Sequence, residues 1–249
     1  MMRRRSLFLL GCLLALAPFG APVANAQTPP PMTMPMPASS PTTRPAPTAA
    51  PSPSADEAAF IKRVMTNLPQ RYPTPATATA AGWNRYTRED RTGAISYVNT
   101  KYWDTTDPDL PSQLWYDVNG RLLGADFSVP QAESSTGPPS RFGISPTRWF
   151  KLRAHVHYVL HNANGSYSYG KATSVDKYAA ANNGDYSHPT ADGLVAAKAV
   201  TDPSTVSFVF LFPAIYDVTV WLVPNPLGQF ADSNPAVTPS PNAGRGEDM

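Results

Sequence analysis

The chain is nearly free of cysteine: 249 residues hold one, Cys12, and it lies in the first 26. A thiol enzyme and a disulfide-stapled mini-domain are excluded for the body that follows. Charge is also scarce, at 15% of residues, and no Asp or Glu precedes Asp56. Arg3, Arg4 and Arg5 sit at the start. Without residues 1–26 the balance is 17 basic against 18 acidic, so the pI of 8.6 belongs to the N-terminus. A basic nucleic-acid-binding domain is excluded on that balance. Long apolar runs are missing too. The stretch 7–23 is interrupted by Pro18 and Pro22 and stands at the lower limit for a spanning helix. Neither a G-x-S-x-G, a P-loop nor a G-x-G-x-x-G occurs. Ser174 and Lys177 form an S-x-x-K without the S-D-N and K-T-G elements that acyl enzymes pair with it.

What the N-terminus does contain is an address. Three arginines, the apolar run 7–17 and the small residues Ala24 and Ala26 form a secretory signal with cleavage near Ala26. The expected location is therefore secreted or periplasmic, with membrane contact only through this segment. Leu9-Leu10-Gly11-Cys12 has the form of a lipobox that would anchor Cys12 by lipid, but it leaves an apolar run of only residues 7–11. Arg4-Arg5 also suits twin-arginine export, and the choice of route stays open.

Residues 27–54 carry ten of the 29 prolines and read as an extended tether. Met32, Met34 and Met36 alternate there, a thioether set able to take copper(I). Ser54 and Glu57 make a capping box, and Phe60, Ile61, Val64 and Leu68 follow at helical spacing. A helix is predicted over 55–68, ended by Pro69. The globular domain is expected to span 55–236, with a frayed tail over 237–249.

From residue 94 the period becomes two. Strands are predicted at 94–103, 113–118, 121–129, 148–161, 166–171, 205–212 and 215–223, with short helices at 175–181 and 191–200. Asn119-Gly120 predicts a two-residue hairpin turn that places Tyr116 opposite Leu123 and Trp115 opposite Gly124. The fold class is mainly β (α+β): an antiparallel sheet, sandwich- or barrel-like, of about seven strands with a few short helices.

The chemical signal is concentrated in 148–161. Even positions from Phe150 to Leu160 are apolar. Odd positions are Trp149, Lys151, Arg153, His155, His157, Val159 and His161. Alternation therefore places His155 and His157 on a polar face, opposite the core, beside two cations. Two chemistries follow. His155 and His157 could share a zinc or copper ion with His188, Asp217 or Asp126 as third ligand. Alternatively, the row Lys151–Arg153–His155–His157 forms a cationic stripe for an anionic ligand. Asp217, Trp149 and Trp221 share the same parity, which makes Trp149, Lys151, Arg153, His155, His157, Asp217 and Trp221 the expected ligand face. Asp104, Asp107 and Asp109 offer oxygen ligands to calcium in one loop. The sequence thus favours an exported, non-enzymatic binding or assembly module. A metal-dependent hydrolase and a structural envelope oligomer are the alternatives.

Overall fold

The structure, a computed structural model, describes residues 49–131, 137–139 and 141–244. The signal segment with Cys12, the methionines of the tether and residues 245–249 lie outside them. Among the described residues no helix is long and apolar enough to cross a membrane.

The domain is mainly β, with nine strands in two antiparallel sheets and four short helices. Helices α1 (Ala55–Arg71) and α2 (Pro75–Ala80) come first. Strands β1 (Asn84–Arg85), β2 (Ile95–Val98), β3 (Gln113–Tyr116), β4 (Leu122–Pro130) and β5 (Phe150–Leu152) follow. Next are β6 (His155–His161), β7 (Tyr167–Ser174), α3 (Val175–Ala181) and α4 (Ala191–Ala196). Strands β8 (Val206–Phe212) and β9 (Ile215–Trp221) complete the order. One sheet runs β1-β2-β3-β4-β9-β5 and the other β7-β6-β8. Among the described residues neither sheet closes into a barrel.

Helix α1 begins where its capping box predicts: the Glu57 amide donates to Ser54 Oγ at 3.2 Å and the Ser54 amide to Glu57 Oε2 at 2.9 Å. It continues past Pro69 to Arg71, because a proline this near the C-terminus removes only one helical hydrogen bond. Phe60, Val64 and Leu68 bury its apolar stripe on the outer face of the six-stranded sheet, where Phe60 meets Phe127 at 5.0 Å. Each such side chain contributes about 1.5–3 kcal/mol by burial. Glu57 is itself buried and receives Arg148 Nε at 3.1 Å and the Ser145 amide at 3.1 Å. The N-terminus of α1 is thereby pinned to the turn that leads into β5.

Both tight hairpins use one construction. The Gly120 amide donates to Asp117 O at 3.0 Å and the Asp117 amide to Arg121 O at 3.0 Å. The Gly165 amide donates to Asn162 O at 2.9 Å, and the Asn162 amide to Ser166 O at 2.8 Å. Only the glycine of each turn takes positive φ, 79° at Gly120 and 80° at Gly165. Asn119-Gly120 is therefore part of a three-residue loop with a glycine bulge, rather than the predicted two-residue turn. The register follows: Trp115 opposes Gly124 as predicted and Leu114 opposes Ala125, but a bulge sets Tyr116 against Leu122 rather than Leu123. The Trp115 ring covers Gly124 so closely that an added Cβ would lie 2.4 Å from its Cε3.

The predicted single strand 148–161 is two strands in two sheets. Leu152 pairs with Ile215 in one sheet and His155 with Phe212 in the other. The ladder breaks at Arg153-Ala154 on one side and at Pro213-Ala214 on the other. Proline cannot donate to a ladder, so both strands turn at the same level. The inward-facing parity changes at this corner: Phe150 and Leu152 point between the sheets before it, His155 and His157 after it.

The arrangement is sandwich-like, with helices outside the sheets. Val156 and Tyr158 on the outer face of β6 pack against Tyr178 of α3 and Leu194 of α4. Helix α4 ends at Ala196 rather than at 200, where Lys198 adopts φ 54° and the Ala199 amide closes on Leu194 O at 2.9 Å. Two expected loose ends belong to the domain. The Ala50 amide donates to Leu227 O, and Arg148 Nη2 to Pro51 O, so the tether docks before residue 54. The Ser240 amide donates to Glu89 Oε1 at 2.7 Å and the Gly244 amide to Glu89 O, so 237–244 is not frayed.

Candidate functional site

Between the sheets lies a cavity of about 390 Å³ with mostly apolar walls. Its two sides come from different sheets. The six-stranded sheet presents Gln113 and Trp115 of β3, Asp126 of β4, and Asp217, Thr219 and Trp221 of β9. The three-stranded sheet presents His155, His157 and Phe212. Tyr86 and the segment leading to Thr92 cover one side, where the Gly170 amide donates to Tyr86 O at 2.8 Å.

Asp126 and Asp217 are diagonal neighbours on paired strands, since Asp126 opposes Thr219 and Ser128 opposes Asp217. Both are buried, at 6% and 1% exposure. Asp126 accepts Trp115 Nε1–H at 2.8 Å and Thr219 Oγ1–H at 2.8 Å. Asp217 Oδ1 accepts Ser128 Oγ–H at 2.7 Å. Ser128 in turn meets Ser112 Oγ at 2.7 Å, and Ser112 Oγ donates to Asp126 O at 2.9 Å. This hydroxyl chain serves either state of Asp217: it donates toward a carboxylate, or runs the other way from a protonated acid. Among the described residues neither carboxyl has a cationic partner within 4 Å. Burial and then the charge of Asp217 push Asp126 well above the usual range, and burial pushes Asp217 to about 7. The pair resists carrying two charges at once.

Tyr86 donates its hydroxyl to Gln113 Oε1, and burial followed by the two carboxylate charges keeps it a neutral phenol. Its ring edge meets His157 at 4.8 Å. His155 and His157 lie over their cross-strand partners, stacked on Phe212 at 4.6 Å and on Phe210 at 5.4 Å. Their Nε2 atoms are 2.8 Å apart. His155 Nδ1 faces Arg153 O at 2.8 Å and His157 Nδ1 faces Lys171 O at 3.3 Å. Burial lowers the pKa of both rings. For His157, burial and then the neighbouring ring lower it to about 3. The two rings are neutral near pH 7.

Four of the seven residues expected to share one face do so in a different sense: His155, His157, Asp217 and Trp221 line the cavity from opposite walls. The expectation that the histidines lie opposite the core is corrected, because both faces of β6 are covered and His157 is 2% exposed. Trp149 and Lys151 precede the corner and point the other way. Trp149 is buried under α1, and Lys151 Nζ lies 5.1 Å over the Tyr216 ring. Arg153 is exposed at the corner itself. The cationic stripe therefore does not exist as a unit. His188 is exposed between α3 and α4, bonded to Ser187 Oγ, and does not line the cavity with the other two histidines. Among the described residues no three His, Cys, Asp or Glu side chains are grouped to hold a metal. The carboxylates considered for calcium are engaged by arginines: Asp104 by Arg141 at 2.6 Å, and Asp107 and Asp109 by Arg63 at 3.1 Å.

Sequence reasoning missed Tyr86 and Gln113. Tyr86 follows a two-residue strand with no alternation to reveal it. Gln113 opens a strand whose inward parity was legible. No family model matches the chain, and neither the curated proteins nor the solved structures compared with it provide a match.

Proposed function

We propose that the protein is an exported, non-enzymatic binding module that holds a small organic molecule between its two sheets. The observation that carries this reading is the cavity: about 390 Å³, aromatic on several sides, with buried carboxyl groups on one wall. Ligand sites combine such apolar walls with a few convergent polar groups. Trp115 and Trp221 line the space, so their fluorescence reports occupancy. The test is native mass spectrometry of the secreted chain followed by a fluorescence and thermal-shift screen of small molecules. Cleavage near Ala26 and a retained or rebound ligand of a few hundred daltons are expected. A protein that binds no small molecule, and whose tryptophan emission no compound moves, would sink the reading.

A second reading rests on the histidine pair. Metal-bound histidines typically direct their other N–H to a carbonyl, and both Nδ1 atoms here face one. Zinc or copper(I) at the paired Nε2 atoms is the corresponding proposal, with non-protein ligands completing the shell because no third protein ligand is grouped with them among the described residues. Tetrahedral ligands about 2.0–2.1 Å from a metal lie about 3.3 Å apart, so the rings would part by roughly half an ångström. Stoichiometric metal in the purified protein supports this reading. Unchanged melting with added zinc or copper(I) removes it.

A further inference from the structure

The charge on the cavity wall narrows the ligand. Among the described residues, four carboxyl-bearing side chains line the space, Asp90, Asp126, Asp217 and Asp232, against one guanidinium-bearing side chain, Arg88. The other cations expected from the sequence, Lys151 and Arg153, are outside it, and the two histidines are neutral. Asp90 is occupied in its own turn, accepting the Thr92 and Ala94 amides. Arg88 Nε is spent on Tyr169 O at 3.2 Å. Asp126 and Asp217 differ from both. They are buried, they face the cavity, and the donors that support them are neutral: the Trp115, Thr219 and Ser128 side chains and the Val218 amide.

A buried carboxylate without a cation is costly, and a positive ligand removes that cost. Aromatic faces add to the same preference, because the ring quadrupole attracts an ammonium. A sugar would need many donors and acceptors spread over the walls, whereas these walls are mostly apolar. An anion would meet an acidic lining. The volume lies toward the small end of the roughly 300–1,000 Å³ of ligand pockets, which suits one ring or a short chain.

We infer that the ligand is a small organic cation, an amine on an aromatic or aliphatic body, with its ammonium against Asp217 and Asp126 and its body against Trp115 and Trp221. This rests on the cavity being a binding site, and it adds the chemical class.

The test compares three probes of one shape on the full secreted chain: phenethylamine, 2-phenylethanol and 3-phenylpropanoate. Binding is read by calorimetry and tryptophan fluorescence. The amine is expected to bind at least tenfold more tightly than the alcohol, and the carboxylate more weakly than either. Asp217→Asn, a near-isosteric change, should reduce amine affinity about tenfold and leave the alcohol within twofold. Should Asp217→Asn fold poorly, Asp126→Asn serves the same comparison, and Lys151→Ala, outside the cavity, should match the parent for all probes. Alcohol or carboxylate binding as tight as the amine overturns the cation inference while the cavity reading stands. If no probe binds and an apolar dye such as anilinonaphthalene sulfonate also fails to enter, the cavity reading itself falls.

Discussion

His155 and His157 meet Nε2 to Nε2 at 2.8 Å while the Nδ1 of each faces a backbone carbonyl. A carbonyl only accepts, so each Nδ1 calls for a proton. If both have one, two lone pairs collide at the centre of the pair. The unequal contacts resolve this. His155, 2.8 Å from Arg153 O, keeps Nδ1–H. His157, at 3.3 Å from Lys171 O, donates Nε2–H to His155 instead. Nitrogen NMR of the metal-free protein near pH 7 should therefore find opposite tautomers in the two rings. On metal binding both should become Nδ1–H. Identical tautomers without metal would contradict this assignment.

Asp217 sets a pH dependence. Its carboxyl titrates near 3.8 in the unfolded chain and is pushed to about 7 in the fold by burial. The folded state then binds the proton more tightly, so the contribution of Asp217 to stability falls as pH rises from about 4 to about 7 and levels off above that, with Asp126 adding a loss of the same sign. Asp217→Asn removes the charge. Its melting temperature relative to the parent should rise across this window, and by pH 8 the variant should be the more stable, by on the order of a few kcal/mol. Parallel melting curves from pH 4 to 8 would refute the assignment.

Much of the fold was legible because its signals are local. Ser54 and Glu57 cap α1 as their spacing requires, and the alternation in 113–118 and 121–129 yields a real hairpin with Trp115 over Gly124. The site was less legible, because it depends on a corner. Period two carries face assignments along a strand only while the strand stays in one sheet. Trp149 and Lys151 were expected beside His155, but the chain changes sheet at Arg153-Ala154 and the inner parity changes with it. The clue lay in the partner strand. Pro213-Ala214 divides 205–212 from 215–223, and a ladder broken on one side must be broken on the other. Tyr86 had no such clue, since only the three-dimensional fold brings it over the cavity.

The ion pair between Glu57 and Arg148 ties the start of α1 to the entry of β5. Burial alone would raise the Glu57 carboxyl. The Arg148 hydrogen bond, the Ser54 and Ser145 amides and the Arg148 charge outweigh burial and hold it below the ordinary value. Arg148→Met leaves Glu57 buried without its cation and also frees Pro51 O and Ser52 O. A loss of about 3 kcal/mol is expected in urea unfolding. Arg63→Ala, which breaks exposed pairs with Asp107 and Asp109, should cost no more than about 1 kcal/mol. Equal losses from the two would show that the buried pair has no special weight.

Gly124 offers a test that joins packing to the site. It stands opposite Trp115 across the β3–β4 ladder, and a Cβ there would sit 2.4 Å from the ring and 2.9 Å from Val220 O. The ring cannot yield freely, because its Nε1 donates to Asp126 Oδ2 and its edge meets Trp221 at 5.5 Å. Gly124→Ala should therefore displace Trp115, destabilise the fold by about 1–3 kcal/mol and leave Asp126 with one donor fewer. Trp115→Phe removes the same donor without crowding Gly124. If the hydrogen bond to Asp126 matters to the cavity, both variants should weaken binding of an amine probe, while only Gly124→Ala should show the full packing loss in thermal unfolding. An alanine variant that melts with the parent would show that the ring and strand separate more easily than their contact implies.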